Sequence, residues 1–131
     1  MAEKHLEGAG ELLYDFKNDL LMFKIKDRDY KLSVEFQNFT VDIDEEDFVT
    51  GIRIFDASKV IGVDKFYLKS IIRTEFKAQI ENNVVTIGIK FVSKVRNKLL
   101  SLLGQKEHFK QQITTSLGEH IIGDSVAECL A

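Results

Sequence analysis

Residues 71–95 read IIRTEFKAQIENNVVTIGIKFVSKV, and their alternation decides the fold class. Apolar side chains recur at every second position, the period of a half-buried β-strand. Asn82-Asn83 divides the run into two arms. Asn tolerates positive φ, so the pair predicts a two-residue type I′ turn. Placing Glu81 opposite Val84 sets the register. Ile80 then faces Val85, Ala78 faces Ile87, Phe76 faces Ile89 and Thr74 faces Phe91, giving one apolar face. The other face pairs Glu75 with Lys90 and carries Arg73, Lys77 and Lys94. A slip of one residue would scramble both faces, so the pairing is well specified.

The same period extends upstream. Leu21, Phe23 and Ile25 alternate with Met22, Lys24 and Lys26, which predicts a strand. Leu12 to Asp15 is its expected partner, with Lys17-Asn18-Asp19 as the turn. A second turn at Asp27-Arg28-Asp29 leads into Leu32, Val34 and Phe36. Val41 and Ile43 are expected to continue that strand past a bulge near Asn38. Asp44 to Asp47 form an acidic connection to a strand over Phe48 to Phe55. Asp56-Ala57-Ser58-Lys59 opens a short helix with Asp56 as its expected N-cap and Gly62 as its end. Asp64 to Lys69 reads as one more helical turn.

Downstream, Val92, Val95, Leu99, Leu102 and Leu103 fit helical spacing with Gly104 as C-cap. The same stretch also reads as a strand turned at Arg96-Asn97-Lys98. Phe109 to Leu117 and Ser125 to Leu130 look extended. Residues 1–10 read as a flexible N-terminal arm and 11–131 as a single β-rich domain. The expected class is α+β, mostly β: antiparallel hairpins or a meander, in one sheet or a sandwich, with one or two short helices.

Composition agrees with a packed chain. The 131 residues are 44% hydrophobic and include ten Phe, enough for one core. Cys129 is the single cysteine, which excludes an intramolecular disulfide and favours a reducing compartment. No run of about 18 apolar residues occurs, and the polar start is no signal peptide. A soluble, cytoplasmic protein with no membrane partner is expected. Net charge is only -3, but it is unevenly spread. Between Lys65 and Lys110 stand ten bases and three acids, a balance of +7; elsewhere eight bases face eighteen acids, a balance of -10.

The carboxylates offer few motifs. Asp42, Asp44, Glu45, Glu46 and Asp47 suggest calcium chemistry, but an EF-hand loop starting at Asp42 needs Gly at position 47 and Glu at 53. Asp47 and Arg53 stand there. Asp15, Asp19 and Asp56 could converge as an acid–base or metal set; turn and cap chemistry explains them more simply. His5, His108, His120 and Cys129 lack zinc-type ligand spacing. A Cys–His nucleophile built from distant residues stays open. Ser58, Ser70 and Ser101 lack a GxSxG elbow, and no phosphate-binding glycine loop occurs. No catalytic residue, cofactor or metal site is therefore expected.

Tyr14-Asp15, Asp19-x-Leu21, Val41-Asp42-x-Asp44 and Val49-x-Gly51-Ile52-x-Ile54-x-Asp56-Ala57-Ser58 form a pattern over residues 14–58. In it the chain resembles a small prokaryotic family known only as a domain of unknown function. The resemblance implies a small β-sheet domain ending in a short helix, with no catalytic residues assigned. Some members sit beside toxin-like proteins, which implies an antitoxin-like role.

The basic hairpin is the remaining candidate surface. Arg73, Lys77, Lys90, Lys94, Arg96 and Lys98 fall on or near one side of it, where nucleic-acid phosphates or a partner could lie. Against nucleic acid stand the Glu75–Lys90 pairing, the lack of interleaved exposed aromatics, and a pI of about 5.6. Self-association is the other reading. Asp42 to Asp47 and the basic hairpin could meet between subunits, and hairpin edges invite pairing across a two-fold axis. The sequence thus points to a non-enzymatic interaction module, acting as a homodimer or through a protein partner. Nucleic-acid binding through 71–98 is the alternative.

Overall fold

The computed structural model describes residues 4–94 and 106–131, and for 106–111 the backbone alone. Five strands come first: β1 (Lys4–Asp15), β2 (Leu20–Ile25), β3 (Leu32–Glu35), β4 (Phe39–Ile43) and β5 (Val49–Ile54). Two single-turn helices follow, α1 (Ala57–Ile61) and α2 (Lys65–Lys69). The chain ends with β6 (Ile71–Glu81), β7 (Val84–Lys94), β8 (Lys106–Ser116) and β9 (Ser125–Leu130). The fold is mostly β with short helices. Among the described residues, nine strands join one sheet in the order β3-β4-β5-β2-β1-β9-β6-β7-β8. Every pairing is antiparallel except that of β1 with β9.

The β6–β7 hairpin has the register read from its alternation, from Thr74 opposite Phe91 to Glu81 opposite Val84. Asn82 and Asn83 both have positive φ, 50° and 63°, the type I′ signature. Asn83 also ties the turn to the later chain. Its side-chain amide donates to the Gly118 carbonyl at 3.2 Å, and its Oδ1 accepts from Ile122 N at 3.1 Å.

The sheet curls about β1. Residues Gly10–Asp15 of that strand pair with β2, and residues Lys4–Ala9 pair with β9. Phe23 of β2 and Phe76 of β6 lie three strands apart in the sheet, about 14 Å on a flat surface. Their rings nevertheless stack, with centroids 4.6 Å apart and planes 17° apart. Only a sheet rolled onto its own apolar face brings them together. Leu21, Ile25, Ile52 and Ile54 line one side of the enclosed core; Ala78, Ile80, Ile87, Ile89 and Phe91 line the other.

Gly10 makes the roll possible. A Cβ built there would lie 2.4 Å from Phe23 Cζ, so the bare backbone is what lets the ring settle against β1.

Several expectations need correction. Residues Lys4–Gly10, within the segment read as a flexible arm, form the first part of β1, and the parallel pairing to β9 holds Lys4–Ala9. Their side chains are mostly exposed, so backbone pairing fixes them, and composition gave no sign of it. The strand expected from Leu32 through Ile43 is instead a hairpin. Phe36 N donates to Phe39 O at 2.8 Å, reversing the chain at Gln37-Asn38, and β3 pairs with β4. Alternation is the same on a bulged strand and on two arms of a hairpin. The irregularity falls later, between Asp42 and Ile43 against β5.

Helix α1 ends at Gly62 as expected, in a left-handed conformation, and Asp64 caps α2 by accepting from Phe66 N. Asp56, however, makes no side-chain cap to α1; its own backbone is left-handed, with φ 52°. β8 and β9 occupy the segments read as extended. The helix-or-strand reading of 96–104 lies outside the described residues, as do Arg96, Lys98 and Ser101.

Candidate functional site

Four carboxylates of the 14–58 pattern, Asp15, Asp19, Asp42 and Asp44, are occupied within the fold. Asp19 sits in the β1–β2 turn, only 6% exposed. Its side chain accepts from Tyr14 Oη at 2.6 Å, from Ser58 Oγ at 2.6 Å and from Ser58 N at 3.1 Å. Asp19 is thus the cap that Asp56 was expected to be, supplied from 39 residues upstream. Burial alone would raise its pKa; the hydrogen bonds from Ser58 and Tyr14 outweigh that and hold it below the usual carboxylate value. The same contact, added to burial, pushes the Tyr14 phenol well above its ordinary range. Asp19 is thereby engaged as a cap by Ser58 and Tyr14.

The other acids are spent likewise. Asp15 accepts from the backbone and side-chain amides of Asn18, closing the turn. Asp42 binds Arg53 at 2.9 Å and Ser33 at 2.7 Å. Asp44, buried, accepts from Glu46 N and Phe48 N and pairs with Arg28 at 2.8 Å. Asp47 Oδ2 receives Gly123 N at 3.1 Å. With Asp42, Asp44 and Asp47 engaged, the acidic loop expected to face a partner's hairpin keeps only Glu45 and Glu46 at the surface, and Arg28 reaches Glu46.

The hairpin bases stand on the outer side of the sheet, away from the core. Register lines up Glu7, Glu128, Lys77, Gly88 and Gln112 across five strands. The adjacent row runs Ala9, Leu130, Glu75, Lys90 and Lys110. A groove of about 610 Å³ opens over these rows. Its floor dips at Gly88, where an added Cβ would meet nothing nearer than Lys77 O at 4.0 Å. Lys77 pairs with Glu128 at 3.4 Å and Arg73 with Glu75 at 3.7 Å. Lys90 and Lys94 make no ion pair among the described residues. Lys110 and Lys106 hold the register positions opposite them. Glu75 is opposite Lys90 in register, as read, but the ion pair it forms is with Arg73.

Sequence reasoning missed Glu7 and Glu128. Alternation within β9 places Glu128 on the outer face; nothing local says that β9 lies between β1 and β6. His5, Glu7 and Glu128 form the described grouping nearest to a metal-ligand set, with ligand atoms within 4.8 Å of one another. The Lys77 ammonium and the His5 ring already contact Glu128, each at 3.4 Å, and all three side chains are wet. The grouping reads as surface ion pairing. Exposed aromatics do lie beside bases elsewhere: Lys65 and Lys69 sit over the Phe16 ring at 5.3 and 5.2 Å.

Cys129 is buried in β9, where desolvation pushes its thiol up to about 12. It is a small core side chain, not a frayed tail, and has no thiolate to offer near neutrality. Thiol reagent at pH 8 is therefore expected to modify the native protein far more slowly than the urea-unfolded chain. Rapid stoichiometric labelling of the native protein would contradict this placement. His120 lies exposed on the loop between β8 and β9, and Ser70 closes α2.

Residues 12–58 match the family described as protein of unknown function DUF2283. An uncharacterized protein of Methanocaldococcus jannaschii is 31% identical over 118 residues, which cover 84% of this chain and 95% of that protein. This chain belongs to that protein's family. A protein of Methanosarcina mazei, provisionally named a hypoxanthine phosphoribosyltransferase, is 30% identical over 87 residues, 66% of this chain and 71% of that one. No solved structure matches. The DUF2283 segment contains β2 to β5, the last strand residues of β1 and the start of α1. Its polar pattern builds turns, a cap and ion pairs. Lys77, Lys90, Lys94 and Glu128 all lie beyond it. Among the described residues no helix is long and apolar enough to cross a membrane.

Proposed function

We propose that this DUF2283 protein is a non-enzymatic interaction module whose working surface is the outer face of β1, β9, β6, β7 and β8. One observation carries the reading. The carboxylates Asp15, Asp19, Asp42 and Asp44 of the family pattern are consumed by contacts inside the fold, whereas the outer face presents Lys90 in an open groove and Lys94 further along β7, neither of them in an ion pair among the described residues. Buried, mutually satisfied polar groups hold a structure together; a charged, grooved face standing in water is available to a partner.

Both signs of charge on that face favour a protein over nucleic acid as the partner. Glu7, Glu75 and Glu128 lie in the same groove as Lys77 and Lys90 and would repel a phosphate backbone. The provisional name of the Methanosarcina relative would ask for a diphosphate-cradling loop, and this sequence holds no glycine-rich loop of that kind. An antitoxin-like role is one form that protein binding could take.

Cross-linking in cell extract with an amine-reactive reagent tests the reading. Inter-protein links are expected from Lys77, Lys90 and Lys94. Links arising only from Lys24, Lys26, Lys31 and Lys59, exposed on the other half of the molecule, would overturn it. Nucleic-acid binding is a second reading, supported by the Lys90–Lys110 and Lys94–Lys106 register, since like charges directly opposite are unfavourable without a counter-charge. It requires oligonucleotide anisotropy that falls steeply with salt and disappears in Lys90→Glu with Lys94→Glu.

A further inference from the structure

We infer that β8 is a self-pairing edge: two copies of the chain join antiparallel along it, about a two-fold axis through Gln111, into one continuous sheet. This contact uses the edge of the sheet and leaves the outer face open, so it does not depend on the reading of that face.

The strand order leaves two edges among the described residues, β3 and β8. β3 has four residues and β8 has eleven. A short edge offers little to pair with; a long, regular one is a template for another strand. β8 is regular, because its pairing with β7 runs from Lys106 to Ser116 without a shift, and no proline interrupts it. The phase of the ladder shows which backbone groups are free. Leu117 N donates to Asn83 O at 2.9 Å, on either side of the Val84–Ser116 pair. Hydrogen-bonded and non-hydrogen-bonded pairs alternate along antiparallel strands. Odd-numbered residues of β8 therefore bond to β7, and even-numbered ones turn their N–H and C=O to the open edge.

The strand fits a second copy of itself. Pairing centred on Gln111 is the antiparallel register that joins all eleven residues. It sets Ile113, partly buried against the core, opposite Phe109 of the second copy. Ile113 stands beside Ile87, and Phe109 beside Phe91, both fully within the core. The row Ile87–Ile113 thus runs on through Phe109 and Phe91 of the other copy, and the two-fold repeats it. These are non-hydrogen-bonded pairs, in which side chains stand closest. Like charges do not meet: Lys110 falls opposite Gln112, and Lys106 opposite Ser116. A centre one residue earlier sets Lys110 on Lys110. One residue later, Phe109 meets Thr115, and Lys106 and Glu107 lie beyond the paired strand. The even-numbered residues form six pairs of about two bonds each, about twelve in all, which matches an ordinary stable interface.

Sedimentation of the full-length protein across a concentration series is expected to show dimer. Gln111→Cys sets a thiol opposite its own copy at a non-hydrogen-bonded position, about 4.5 Å between Cα atoms and within disulfide reach. Mild oxidation is expected to link it into a covalent dimer at least about tenfold faster than Thr114→Cys, which falls opposite His108. Thr114→Pro removes an N–H from the open edge and leaves the backbone bonds to β7. It is expected to stay folded by circular dichroism and to dimerise at least about tenfold more weakly. Gln112→Lys, which sets a base opposite Lys110 twice, is expected to weaken the dimer in the same direction.

A wild-type protein that stays monomeric throughout the series would overturn the inference. So would a dimer that Thr114→Pro and Gln112→Lys both leave intact, or equal oxidation rates for the two cysteine variants. If Thr114→Pro does not fold, Gln112→Lys and the cysteine pair decide. The outer face stands or falls separately, on the cross-links from Lys77, Lys90 and Lys94.

Discussion

Replacing Asp19 with Ala is expected to lower stability by about 3–5 kcal/mol, since charge-assisted hydrogen bonds contribute about 1.5–3 kcal/mol each and are not additive. The loss follows from what the carboxylate holds. It joins the β1–β2 turn to the first turn of α1 through Ser58 N and Ser58 Oγ, and it receives the Tyr14 hydroxyl. Removing it leaves three donors without their acceptor in a part-buried site. For a chain of this size about 3–5 kcal/mol corresponds to a fall in Tm of roughly 11–18 °C. Thermal denaturation of Asp19→Ala and of Tyr14→Phe checks the size. Tyr14→Phe removes one donor and leaves the cap intact, so it should cost only about 1 kcal/mol. Equal effects in the two variants would contradict the assignment.

The pH dependence has a definite sign. The Asp19 pKa is lowered on folding, so its contribution is present above the unfolded carboxylate value of about 4 and is lost as pH falls through the folded one. Wild type and Asp19→Ala are therefore expected to converge in stability in acid and to separate near neutrality. The raised Tyr14 pKa acts at the other limit. Its contribution is present below the ordinary phenol value of about 10 and is lost as pH rises through the folded value.

The second large effect is at Phe23. Phe23→Ala is expected to cost about 3–5 kcal/mol, the usual range for deleting a buried ring. Phe23 is 2% exposed, stacked on Phe76 and seated against Gly10, so it joins three strands of the curled sheet at once. The same geometry predicts a partner effect. Gly10→Ala places a methyl group 2.4 Å from Phe23 Cζ, on a ring already stacked against Phe76. About 1–3 kcal/mol of destabilisation is expected. In a Phe23→Leu background the smaller side chain should relieve most of that added cost. Urea denaturation of the four proteins gives the coupling directly. Additive losses would mean that the two residues do not share the space assigned to them.

Both effects bear on function through the outer face. The curl seated at Gly10 and Phe23 sets β1 beside β9, and with it Glu7 beside Glu128. A variant that loosens the curl disturbs the acidic side of the groove while leaving the β6–β7 hairpin, and the basic side, in register. Charge reversal on the face alters recognition and leaves the core untouched. The two classes of variant therefore separate stability from binding.

The hairpins were legible because their information is local. In 71–94 the alternation, the two Asn and the pairing of apolar residues all specify the same register, and a slip would expose the whole apolar face. The turn acid Asp15 was legible for the same reason, since its partner Asn18 lies three residues on. Asp19 and Asp56 show where this stops. Both are Asp near a turn, and only the fold decides which carboxylate reaches Ser58, 39 residues from Asp19.

Neighbours between strands distant in the chain were not legible. Alternation tells which face a side chain takes and says nothing about which strand lies alongside. The insertion of β9 between β1 and β6 therefore emerged only in the tertiary structure, as did the parallel pairing that orders residues 4–9. The sequence by itself determined a β-rich chain with a polar, charged outer face. Tertiary structure decided that Glu7 and Glu128 stand on one side of that face and the lysines on the other, because contacts between segments distant in the chain are settled by the packing of the whole core, and no short stretch of residues encodes them.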